Sequence, residues 1–88
     1  MNEQMKERVR DVLTSLTRYR SKHLEDKRIE EIVTQLELIQ SAIESGRMLA
    51  HAEKEALDFN LIEGTPLEHD EHLVTELYSI KNFAMNTL

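Results

Sequence analysis

Apolar residues recur along this chain at steps of three and four, the period of a helix that buries one face. Met5, Val9, Val12, Leu16 and Tyr19 form the first such stripe, widened by Leu13, and predict a helix over about residues 3–21. Ile29, Ile32, Leu36, Ile39 and Ile43 form the second and clearest stripe, flanked by Val33 and Leu38. Leu73, Leu77, Ile80 and Ala84 form the third, with Val74, Tyr78 and Met85 beside them. No segment alternates apolar and polar residues over a strand length, so the expected fold class is all-α.

Charge and turn chemistry set the boundaries. Basic residues close the first stripe at Arg18, Arg20 and Lys22, and Glu25 and Asp26 suit the positive end of a new helix, so a turn is predicted near residues 22–25. One uninterrupted helix is the alternative. Thr65-Pro66-Leu67-Glu68 places a capping hydroxyl, a proline at the first helical position and a glutamate at the third, which predicts a helix over 66–86 after a loop at 59–65.

Gly46 decides the middle of the chain, and it has two readings. As a C-cap it splits the second helix. As a small residue on a helix seam it lets the helix run on. Residues 47–57 are strong helix formers without a good N-cap of their own. The expectation is therefore a continuous helix over 26–58, bent at Gly46. Such a helix is about 50 Å long against about 30 Å for its neighbours. A single chain then leaves part of the long stripe uncovered. The predicted architecture is a small antiparallel three-helix bundle, or four-helix if Gly46 breaks the second. It dimerises by coiled-coil-like packing through Ile29, Ile32, Leu36, Ile39, Ile43 and Gly46.

Composition narrows the function classes. The 88 residues make one domain with a modest core. There is no cysteine, hence no disulfide or thiolate metal site. The charged N-terminus is unlike a signal peptide, and no apolar run approaches a bilayer span, so the cytoplasm is the expected location. Net charge is −6, unevenly spread: residues 1–28 hold eight Lys and Arg against five Asp and Glu, a net +3, while residues 29–88 hold three against twelve, a net −9. Attraction between the two regions, within a chain or across a dimer, is expected.

Candidate chemistry is sparse. His69 and His72 lie three apart near Glu68, and His51 lies one turn from Glu55. Neither matches a zinc signature, and a solvated acidic first turn accounts for the first group, so no metal or cofactor is assigned. Arg8, Arg10, Arg18, Arg20 and Lys22 resemble a nucleic-acid or membrane footprint, but Glu3, Glu7 and Asp11 interrupt them and Glu7 with Arg10 reads as a one-turn ion pair. Ser15, Ser21, Ser41, Ser45 and Ser79 show no base partner, and no glycine-rich phosphate loop is present, so no catalytic residue and no enzyme activity is expected. Met1, Met5, Met48 and Met85 read as core filling, and Phe59, Leu61 and Ile62 as a lid on the bundle end.

What remains is a protein-interaction protein of the adaptor, inhibitor, immunity or chaperone kind. Its expected partner surface is Glu30, Glu31, Glu37, Glu44, Glu53, Glu55 and Asp58, facing a basic protein, with no role for nucleic acid or membrane. A purely structural oligomerisation module is the first alternative, and a metal-binding bundle the second.

Overall fold

Val9 and Leu16 are fully buried and Val12 nearly so, which fixes the inward face of α1 (Asn2–Lys22). The computed structural model describes residues 2–88, without the side chains of Asn2, Phe59 and Leu61. After α1 come α2 (Lys27–Ser45), a five-residue α3 (His51–Glu55), 3₁₀ turns at Phe59–Ile62 and Pro66–His69, and α4 (Glu71–Thr87). The fold is an all-α bundle, with no strand among the described residues.

The α1–α2 turn lies where basic residues give way to acidic ones. Asp26 caps α2 by accepting from the Arg28 N–H at 3.1 Å. The Arg28 side chain turns back onto Asp26 and also donates to the Glu63 and Gly64 carbonyls at 3.3 and 3.2 Å. The residues after α3 are thereby tied to the start of α2.

Gly46 ends α2. Its φ of 69° is left-handed, and its N–H donates to the Ala42 and Ile43 carbonyls. The continuous helix over 26–58 is therefore corrected to two helices separated by an extended link. Nor is Gly46 a point of close helix approach, since a Cβ built there meets nothing within 4 Å. The helix-forming tendency of residues 47–57 yields only α3, which buries none of its own residues. A weak propensity term loses here to a strong stop signal and to Leu49 and Leu57, which anchor the link to the core at 6% and 7% exposure.

The correction changes the length argument. At 19 residues α2 spans about 28 Å and matches its neighbours. Ile29, Ile32, Leu36 and Ile39 are fully buried within one chain and Ile43 is 7% exposed. The stripe assigned to a dimer seam is buried in the core of the single chain, chiefly against α1 and the return segment, so the length argument for a second chain falls away.

The predicted helix over 66–86 also divides. Thr65 caps only the Pro66–His69 3₁₀ turn, its hydroxyl accepting from the Leu67 N–H at 3.2 Å. Glu68 reaches the Gly64 N–H, not that of Thr65. α4 starts afresh from Asp70, which accepts from the Leu73 N–H at 3.1 Å.

Pairings across the bundle give the topology. Arg8 meets Glu76 and Ser79, while Tyr19 meets Asp70, so α1 and α4 run antiparallel. The Leu49 N–H donates to the Leu88 carbonyl at 2.8 Å, which brings the link after α2 to the end of α4. Residues 47–65 then return along the bundle to the N-terminal end of α2, and α4 runs parallel to α2. Ile62 is 3% exposed and closes that end of the core, in keeping with a lid. Phe59 and Leu61, the other two lid residues, have side chains outside the described set, as does Met1.

Candidate functional site

The acidic residues of α2 occupy its outer face. Glu30, Glu37 and Glu44 recur every seven residues, two helical turns apart, so they form a line along the side opposite the isoleucines, with Glu31 beside it. All four are exposed, and among the described residues their carboxylates take no hydrogen bond or ion pair. The line runs most of the helix and contains no cation.

The other three predicted surface residues are engaged locally. Glu53 accepts from the Ala50 N–H at 2.9 Å and from Arg47 at 3.2 Å, half of a capping box because Ala50 supplies no acceptor in return. The Ala50 amide and then the Arg47 guanidinium hold its carboxyl below the usual carboxylate range. Glu55 meets His51 at 2.9 Å, and Asp58 accepts from the Asn60 N–H at 3.0 Å. The predicted surface therefore divides into a free line on α2 and three acids that shape the return segment.

Across the molecule, α1 and α4 leave a seam bridged by polar contacts. The Arg8 guanidinium donates to both Glu76 oxygens at 3.0 and 2.8 Å and to the Ser79 hydroxyl at 2.9 Å. This hydrogen-bonded pairing raises the arginine pKa and lowers that of the glutamate. The Tyr19 hydroxyl donates to Asp70 at 3.1 Å, and burial and then the carboxylate raise the phenol pKa. A cleft of about 300 Å³ opens beside this contact, lined by Ser15, Arg18, Tyr19, Lys22 and Asp70. A second, of about 120 Å³, lies between Arg8, Asp11, His72 and Glu76. Among the described residues, the expected attraction between basic and acidic regions takes the form of one long-range ion pair.

The remaining candidates stay dispersed. His69 and His72 are exposed, and among the described residues no three His, Asp or Glu side chains converge as a metal site. Ser15 lines both clefts and shares the second with Asp11, His72 and Glu76, but among the described residues no hydrogen bond joins its hydroxyl to any of them, and Ser21 and Ser45 turn back onto backbone carbonyls one helical turn earlier. Glu7 and Arg10 form no ion pair among the described residues, whereas Arg8 does. Met5 packs against the core, but Met48 and Met85 are 71% and 41% exposed and do not fill it.

No family model matches the chain, and neither the curated proteins nor the solved structures contain a match. The geometry must therefore carry the functional reading alone. No described helix is long and apolar enough to cross a membrane.

Two residues with structural roles escaped the sequence reading. Gln35 is 7% exposed and bonds both backbone groups of Asp58. Its signal was its register, since Ile32, Gln35 and Ile39 step by three and four on the buried side. Asp70, between His69 and Glu71 in the acidic first turn, is the other, and an aspartate just before an apolar stripe is itself a cap signal.

Proposed function

We propose that this chain acts by binding a basic protein partner in the cytoplasm, as an adaptor, inhibitor or chaperone does, and not by catalysis. The observation that carries the reading is the division of α2. Its isoleucine face is consumed by the chain's own core, while Glu30, Glu31, Glu37 and Glu44 stand exposed and unpaired on the other side. The line repeats its charge about every 10 Å along the helix with no cation between, which presents a regular acidic face to a partner. Complementary charge on a partner would speed encounter, with a steep dependence on ionic strength.

The test is a triple charge reversal, Glu30→Lys with Glu37→Lys and Glu44→Lys, none of which touches the core. Cross-linking in cells followed by mass spectrometry would identify partners of the unaltered chain, and purified pairs would be titrated at low and high salt. The reading expects a basic partner, weaker binding at high salt, and loss of binding in the reversed variant with its helicity intact. Binding that ignores both salt and the reversal would refute it.

A further inference from the structure

Residues 29–88 contain only three cations, Arg47, Lys54 and Lys81. Arg47 and Lys54 lie on the 47–55 segment where it crosses the C-terminal half of α4, and Lys81 stands on α4 one turn before Met85, which Lys54 touches. The Leu49 N–H donates to the Leu88 carbonyl at 2.8 Å, and the Lys54 ammonium lies 3.5 Å from the Met85 carbonyl. On α4, Tyr78, Lys81 and Met85 fall three and then four residues apart and so share a face. Arg47 is held by Glu53 at 3.2 Å, whereas Lys54 and Lys81 make no ion pair among the described residues.

Large apolar side chains stand exposed at the same crossing. Met48 is 71% exposed, Met85 41% and Tyr78 36%. The fourth exposed large hydrophobic residue among those described, Leu24, lies in the α1–α2 turn at the other end of α2. We propose that this crossing is a second docking surface, which takes an acidic, apolar segment of a partner protein. Met48, Tyr78 and Met85 make the apolar contacts, and Lys54 and Lys81 receive the carboxylates.

Charge complementarity selects the occupant. The two lysines repel a basic segment and attract an acidic one, the reverse of the preference at the α2 line. The nearby acids cancel them only in part, since Glu53 is committed to Arg47 and the Ala50 N–H and only Glu55 stands beside Lys54, which leaves three cations against two acids. Methionine suits a surface that must fit a partner's irregular side chains, and tyrosine is enriched where binding energy concentrates. α3 buries none of its residues and is held at its ends by Leu49 and Leu57, so the platform can adjust without disturbing the core.

The experiment titrates the full chain with a fluorescently labelled amphipathic helical peptide of leucine and glutamate, read by anisotropy. A matched peptide with lysine in place of glutamate is titrated in parallel. The acidic peptide should bind about tenfold tighter than the basic one, and Lys81→Glu should weaken it by about tenfold. Arg18→Glu, in the cleft beside Asp70 at the opposite end of α4, should leave it unchanged, and circular dichroism melting should show both variants folded. The proposal is overturned if the acidic peptide does not bind, if it binds no better than the lysine peptide, or if the Lys81 and Arg18 reversals weaken it equally.

Discussion

Gln35 clasps the backbone of Asp58 from inside the core. Its amide nitrogen donates to the Asp58 carbonyl at 3.2 Å, and its amide oxygen accepts from the Asp58 N–H at 2.8 Å. A residue with no regular secondary structure thus has both backbone groups satisfied by one side chain of α2. This clasp registers the return segment against the helix midway between its other ties, at Leu49 and at Arg28.

Gln35→Leu keeps the volume but leaves the Asp58 N–H and carbonyl without partners. Asp58 is exposed and the two bonds are part-buried, so each is worth about 0.5–1.5 kcal/mol net. Urea unfolding should show a loss of that size. Limited proteolysis should show new cleavage near residues 56–63 before global unfolding. A variant as stable and as resistant as the parent would mean that water replaces the glutamine readily.

Gly46 and Gly64 both have left-handed backbones, with φ of 69° and 80°. Alanine in that region costs about 1–2 kcal/mol. Gly46→Ala should lose about that much, because nothing obstructs the new methyl group. Gly64→Ala should lose more, since its Cβ lies 2.9 Å from Arg28 Nη1 and displaces the guanidinium from the Glu63 and Gly64 carbonyls. Thermal melts of the two variants rank them directly.

The all-α class was legible because three apolar stripes at helical period admit no other reading, and those stripes supply most of the core. The path between Ser45 and Glu71 was not. Its irregular course depends on one left-handed glycine, on Gln35 reaching Asp58 and on Arg28 reaching Glu63, and the last two join residues 23 and 35 positions apart. Helix propensity is local and blind to such ties, so it extended α2 through residues that the folded chain uses as a link. The acidic line was legible residue by residue, but not which acids would remain unpaired. Glu53 and Glu76 carry the same charge as Glu37, and only the fold places an arginine against each of them.

The Arg8–Glu76 and Asp26–Arg28 pairs make stability depend on acid. Both carboxyls titrate below their ordinary range in the folded chain, chiefly because they accept arginine hydrogen bonds. Their contribution is fully present above the unfolded value, about 4 for such groups, and is lost as pH falls through the lower folded value. Urea midpoints should therefore drop progressively below about pH 4.5. Glu76→Gln should be less stable at neutral pH and show a flatter acid dependence. An unchanged slope would mean that Arg8 does not hold Glu76 in solution.

Asp70 does two jobs with its two oxygens. One accepts from the Leu73 N–H at 3.1 Å and caps α4, and the other accepts from the Tyr19 hydroxyl at 3.1 Å and ties α4 to α1. Tyr19→Phe removes only the second contact and should cost about 1 kcal/mol, the usual worth of one hydrogen bond. Asp70→Asn keeps an oxygen for the cap and should cost little more. Asp70→Ala removes both contacts and should cost about 2 kcal/mol, a lost cap plus a lost tertiary bond. The double variant Tyr19→Phe with Asp70→Ala separates the roles. If the tyrosine acts through Asp70, removing its hydroxyl should add almost nothing once the aspartate is gone, and full additivity would show that the hydroxyl contributes independently of Asp70.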